Sequence, residues 1–510
     1  MKKIWILIAV LSLGLTGCAL VTNPLGEELE MDEFIQDYTY LNTKNLLPEQ
    51  GKVGITGIGD PHVFYDSTED KYFMTGTSTG MIFQLWESVD LTTWSSGTQI
   101  FDISMVSWGD SGRGGLWGAE IHKRGDTYYL YYSTWKQGAG SPRIGVATAS
   151  DVYGPYTDKG SPLFDFGYSA IDNHLFTDTD GKSYLYYVKD ALDNLVDGVR
   201  ESHIYVVEMN DDFISTKTAD DAVMLLRPDQ PWERISGGAD WKWVEGCWMH
   251  KQGDQYYLFY SANKYSEVHY AIGYAVSDSP FGPFVKSEAN PILKTIASEL
   301  SGPGNNSFFY SKDGQELLTA YHMHTNPASP SGNRYLNIDR VGFREDGSVF
   351  VNGPTVTYQP IPSGTKSFHI LLTKDATIES SGVLDGYNPL GAIDGELVML
   401  ETLEAFQFVA SGAVADAYVK IIFPEARIVN SLFIYIPITV KYRSTKINIE
   451  FSDGTKILGV TTSMLRGEAT IINTSGIETE WIKITSAESG FGQTNFGINE
   501  VMIFGSRTNS

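Results

Sequence analysis

Three carboxylates open three short apolar strands at matching places in this chain. They are Asp60 in Asp60-Pro61-His62-Val63-Phe64, Asp172 in Asp172-Asn173-His174-Leu175-Phe176, and Glu245 in Glu245-Gly246-Cys247-Trp248-Met249. A fourth copy opens on an amide, Asn305-Asn306-Ser307-Phe308-Phe309, and a fifth on Gly118-Ala119-Glu120-Ile121, with Glu120 displaced by two. The offset from each opener to the following aromatic strand is nearly constant: 60 to 72, 172 to 184, 245 to 256 and 305 to 317. Like charges brought together are costly unless a proton or a ligand relieves them. Two chemistries do so. A hard cation takes oxygen ligands, and acid–base attack on a glycosidic bond needs one protonated and one ionised carboxyl. Asp-Pro and Asp-Asn are also common turn pairs, which accounts for any one of these sites but not for three in register.

The elements that would position these residues recur along the chain. Second strands read as 71–76, 128–133, 183–188, 256–261 and 316–321, each preceded by an Asp/Gly-rich turn of the kind hairpins prefer. Third strands read as 143–148, 203–207 and 271–275, and Gly-Pro corners follow at Tyr153–Tyr156 and Phe281–Phe284. Five units of antiparallel strands, with no amphipathic helix of useful length between Gly51 and Pro362, predict an all-β, five-bladed β-propeller. The first strand of each blade lines the central axis of such a fold, so Asp60, Asp172 and Glu245 should converge at one mouth of it.

Bulk properties narrow the partners. A formal net charge of -25 over 510 residues excludes a nucleic-acid footprint and leaves neutral polysaccharide compatible. At the N-terminus, Lys2-Lys3, an apolar run from Ile4 to Leu13 and Leu15-Thr16-Gly17-Cys18 resemble a bacterial lipoprotein signal, with Cys18 as the acylated residue. This predicts a signal peptide over 1–17, a tether and lead-in over 18–52, and a lipid-anchored protein of the cell envelope, periplasmic or outer-surface. Cys247 is the only other cysteine, which leaves no intramolecular disulfide once Cys18 is acylated, and no Cys/His metal cluster is evident. Cys247 reads as a small buried filler.

The order and spacing of several motifs resemble glycoside hydrolase family 43. They are Gly59–Val63, Ser88–Trp94, Trp117–Ile121, Ile144–Thr148, Ile171-Asp172, Val244–Gly246 and Ser279–Phe284. The resemblance covers about 51–362 and implies an inverting hydrolase with Asp60 as general base, Glu245 as general acid and Asp172 as the residue that keeps the acid's pKa raised. It implies that Arg334 contacts the bound sugar, that Trp117 and Glu120 form pocket walls, and that His322 faces the axis. The family often carries Gly-His-Asn-Ser in its last blade, whose His helps to hold calcium in the axial channel. Asn305 stands in that place here, which argues against calcium; no metal ligand is assigned and no cofactor is required.

After a Pro/Gly-rich linker the pattern changes. Alternating strands over 366–510 indicate a β-sandwich. Ile393-Asp394-Gly395 and Gly497–Gly505 resemble discoidin-like (coagulation factor 5/8 type C) domains of the galactose-binding-like jelly-roll class, which implies a possible carbohydrate-binding module. The domain reading is therefore a catalytic propeller over 53–362 and a sandwich over 366–510. The functional expectation is an α-L-arabinofuranosidase or arabinanase acting on plant polysaccharide. A β-xylosidase of the same family and a non-catalytic glycan-binding surface lipoprotein are the alternatives.

Overall fold

A computed structural model describes residues 31–42, 57–296 and 299–508. The chain divides into two compact units, Thr39–Ser367 and Phe368–Ser510, and the described residues Met31–Tyr38 belong with the latter.

The first unit contains five four-stranded antiparallel sheets in sequence order, over 59–102, 116–158, 170–226, 244–286 and 304–351. Their first strands are Gly59–Asp66, Leu116–Arg124, Ala170–Thr177, Val244–Gln252 and Gly304–Tyr310. Aromatic and β-branched residues fill both faces of the second strands, so each sheet packs on two neighbours. Phe73 and Phe83 of the first sheet meet Leu130 and Tyr132 of the second. Tyr131 and Val146 of the second meet Leu185 and Tyr187 of the third. Tyr186 of the third meets Tyr260 of the fourth, and Phe259 of the fourth meets Phe308 of the fifth. Leu318 and Leu336 of the fifth pack with Val63 and Tyr72 of the first. Ser307 Oγ joins the same two sheets, accepting from Val63 N–H at 3.2 Å and donating to Pro61 O at 2.8 Å. Strand Thr39–Tyr40 pairs with Gln359–Pro360, tying the start of the unit to its end.

The second unit is also built from strands. A seven-stranded sheet is centred on Tyr418–Tyr435 and Thr470–Ser489, and a short pair joins Phe408–Val409 to Gly497–Ile498. Val419, Ile421, Leu432, Ile449, Ile482 and Phe496 are buried in its core. Within the stretch read as a tether, Met31–Tyr38 is a short helix whose Phe34 packs against Leu397, Met399 and Phe433. Cys18 and the rest of the expected signal peptide lie outside the described residues.

Candidate active site

All five first strands carry the same irregularity. In the first sheet Gly59 pairs with Thr77 and His62 with Thr75, so Asp60 and Pro61 together face one partner residue. The same step occurs between Trp117 and Glu120, Ile171 and His174, Glu245 and Trp248, and Gly304 and Ser307. The first bulged residue is left-handed each time: Asp60 (φ 51), Gly118 (φ 60), Asp172 (φ 52), Gly246 (φ 58) and Asn305 (φ 51). That conformation suits Gly, Asn and Asp and penalises other side chains. It therefore selects the Asp/Gly/Asn pattern on backbone grounds alone.

This corrects the register read from sequence. Asp60, Gly118, Asp172, Gly246 and Asn305 are equivalent, whereas Glu245 stands one residue earlier, level with Gly59, Trp117, Ile171 and Gly304. The offset to the second strand concealed the shift because turn lengths differ. Gln252 pairs with Gln255 across a tight turn, whereas the loop between the paired Asp66 and Lys71 is longer.

Asp60, Asp172 and Glu245 line one cavity of about 440 Å³ together with Trp117 and Arg334. Arg334 Nη1 donates to Asp60 Oδ1 at 2.8 Å, and Thr77 Oγ1 donates to Oδ2 at 2.5 Å. The Asp60 N–H donates to His322 Nδ1 at 3.1 Å. Room for the arginine comes from Gly59, where a Cβ would lie 2.0 Å from Arg334 Cζ. Gly246 N–H donates to Asp172 Oδ2 at 3.0 Å. Burial, and then the charge of Asp60, push the Asp172 carboxyl up to about 7. Glu245 Oε1 accepts from Tyr270 O–H at 3.0 Å. Burial first and Asp172 second push Glu245 well above the usual carboxylate range. Tyr270 stacks on His322 with ring centroids 5.5 Å apart and planes at 6°. It fits there because position 304 is glycine; a Cβ would lie 1.9 Å from the tyrosine ring. The cavity thus holds one carboxylate ion-paired to arginine and, beside it, the carboxyls of Asp172 and Glu245, both shifted toward their protonated forms, an arrangement that can supply a base and an acid.

The remaining sequence candidates divide. Trp117 lines the cavity and meets Trp135 edge-on at 6.2 Å. Arg334 also lies there, with its guanidinium 4.9 Å from the Tyr265 ring centroid. Glu120 does not form the pocket wall. It lines a smaller cavity of about 30 Å³ that shares Asp60, Asp172 and Asn305 with the larger one, and its Oε1 lies 2.7 Å from His174 Nδ1 and 3.3 Å from His122 Nε2. Burial opposes its charge, but His174 and His122 overcome that and hold it well below its ordinary value. His322 is fully buried, accepts from the Asp60 N–H and is not among the residues that line the cavity, so it does not fit the expected substrate contact. Cys247 is buried as expected, and its Sγ donates to Asp172 O at 3.4 Å.

Sequence reasoning also saw no histidine cluster, because its members lie on different strands. His62, Glu120 and His122 bring ligand atoms within 4.8 Å of one another. This imidazole-rich set does not fit calcium, which takes six to eight oxygens. Thr77, Tyr270, Asp190, Trp135 and Trp243 were missed. Only Trp243, two residues before Glu245, carried a local signal.

Comparison with known proteins gives matches in both units. A family model described as "Glycosyl hydrolases family 43" matches residues 54–349, and a domain of unknown function matches 372–504. The beta-D-galactofuranosidase xynD of Aspergillus niger is 30% identical over 279 residues, 52% of this chain and 73% of that protein. Alpha-L-arabinofuranosidase B of Pyricularia oryzae is 25% identical over 282 residues, 52% of this chain and 54% of that protein, so the chain spans only about half of this relative. A solved thermostable family-43 glycoside hydrolase superposes with a TM-score of 0.57 at 39% identity, covering 64% of this chain and all of that one.

Proposed function

This chain belongs to glycosyl hydrolases family 43 and is a glycosidase, and from that premise we propose that it hydrolyses α-L-arabinofuranosyl bonds in plant polysaccharide with inversion. In this reading Asp60 takes the proton of a water that attacks the anomeric carbon. Glu245 protonates the departing glycosidic oxygen, and Asp172 keeps that proton on Glu245 beforehand. Arg334 and Thr77 aim the base, while Tyr270 aims the acid. Inversion needs acid and base about 6.5–9.5 Å apart, to admit the water. The observation that carries the reading is the opening of the ion-paired Asp60 and the proton-favouring Glu245 into one aromatic-walled cavity. The arabinofuranosidase name of a relative supports the choice of sugar.

The remaining parts of the reading concern architecture and location. The five sheets form a five-bladed propeller, supported by the apolar contacts from each sheet to the next and from the fifth to the first. The unit from Phe368 is a discoidin-like sandwich that binds glycan, with domain limits near the 362–366 linker. Cys18 carries a lipid that anchors the enzyme to the bacterial envelope. The test is hydrolysis of nitrophenyl α-L-arabinofuranoside, β-D-xyloside and β-D-galactofuranoside, and of arabinan. Preference for the arabinoside supports the proposal. Preference for the xyloside transfers it to a β-xylosidase, and binding without cleavage of any of them overturns it.

A further inference from the structure

A fourth carboxylate, Asp190, lines the same cavity as Asp60, Asp172 and Glu245, and the acid–base scheme gives it no task. It follows the second strand of the third sheet, Ser183–Lys189, and caps the short turn Ala191–Asp193. Its Oδ1 accepts from Leu192 N–H at 2.9 Å, and the Ala191 N–H adds a second backbone donor. Among the described residues no side-chain donor or cation reaches this carboxylate. A carboxylate offers about four lone-pair sites, so capacity remains on the side that faces the cavity. Burial raises its pKa, and its charge adds to those acting on Asp172 and Glu245. The half-buried carboxylate can exchange water for a hydroxyl donor of a ligand in the cavity.

The elements around Asp190 bring an aromatic side chain to the same cavity. The residues after its turn form a small accessory sheet, in which Val199–Glu201 runs parallel to Trp241–Lys242. Arg200 binds the turn through Leu192 O and lies 5.2 Å over the Trp241 ring. Trp241 in turn stacks on Trp243 at 6.0 Å and 17°, and Trp243 lines the cavity. The segments around this accessory sheet therefore bring a backbone-capped carboxylate and an indole to one cavity.

We propose that Asp190 is a specificity-determining residue, accepting a hydrogen bond from one hydroxyl of the glycosyl unit that occupies the cavity beside Trp243. The inference rests on the glycosidase reading of this cavity. It selects for a sugar with a hydroxyl at that position and against a sugar lacking it, because the half-buried carboxylate, covered by the bound sugar, would then be left without its donor.

The test compares wild type, Asp190→Ala and Asp190→Asn on a cleaved nitrophenyl glycoside and on its monodeoxy analogues. The asparagine variant keeps an acceptor for the Leu192 cap, and thermal melting checks folding of both. The expected result is a loss in kcat/KM of about 10–100-fold on the parent glycoside for Asp190→Ala. For one deoxy analogue the alanine variant and wild type should be equally slow. A change of Glu245 ionisation would slow every substrate alike, so an equal loss on the parent and on all analogues overturns the proposal, as does no loss on any. Failure of wild type to cleave any glycoside would instead overturn the reading of the cavity itself.

Discussion

At the residue scale, proton placement is set by burial and by a few short contacts. Tyr270 donates to Glu245 Oε1, and a donor to a carboxylate favours its ionised form. Tyr270→Phe should therefore raise the acid's pKa and move the alkaline limb of the pH–rate profile upward by up to about one unit, read from kcat against pH. The raised pKa of Asp172 also makes stability depend on pH. Asp172 titrates near 7 when folded but near 3.9 when unfolded. Between these values the unfolded state holds fewer protons, so stability present below about pH 4 is lost as pH rises toward 7. Asp172→Asn should thus gain on wild type by about 1–3 kcal/mol between pH 4 and pH 8, measured by denaturant melts at both. The sequence showed all three carboxylates, yet the recurrence that drew attention to two of them has a backbone cause. Asp60 and Asp172 share with Gly118, Gly246 and Asn305 a left-handed bulge position, whereas Glu245 stands outside that set. Tyr270, Thr77 and Asp190 were invisible because their contacts join residues on different strands or loops.

At the element scale, the repeated bulge and two absent side chains build the site. Glycine at 59 and at 304 leaves space that Arg334 and the Tyr270 ring occupy. The two substitutions should fail differently. In Gly59→Ala the flexible end of Arg334 can move away, so Tm changes by only a few degrees while the base loses its partner. A displacement of this size typically costs about 10²-fold in rate, checked by kcat/KM beside a thermal melt. In Gly304→Ala the blocked group is a ring with 1% exposure, so overpacking should cost about 1–3 kcal/mol of stability as well. The strands were largely legible. The aromatic run read as 183–188 is Ser183–Lys189, and that read as 271–275 is Ala271–Ser277. The bulges were not, because a step of two residues against one leaves alternation intact on either side and shows only in the pairing.

At the scale of the whole molecule, the division falls near the Pro/Gly linker where composition changed, at Ser367 and Phe368. The lead-in differed from the expectation of a tether. Phe34 and Ile35 are a short apolar pair among acidic residues, and the partners of Phe34, Leu397, Met399 and Phe433, are hundreds of residues away in sequence. The proposed acid–base residues all belong to Thr39–Ser367. That segment alone should hydrolyse a small nitrophenyl glycoside within about threefold of the full chain. If the second unit binds glycan, the truncated form should lose substantially more on insoluble polysaccharide, and pull-down of the two forms on that polymer reads the difference.

The central claim is that Glu245 donates the proton to the leaving oxygen while Asp60 activates water. Its most direct measurement is the leaving-group dependence of Glu245→Ala. Two glycosides of the same sugar would be compared, one with an activated dinitrophenyl group and one with an alkyl group that must be protonated to depart. The account predicts near wild-type turnover on the first, a loss of about 10²–10⁴-fold on the second, and disappearance of the alkaline limb. Equal losses on both substrates, or full activity on the alkyl glycoside, would contradict it.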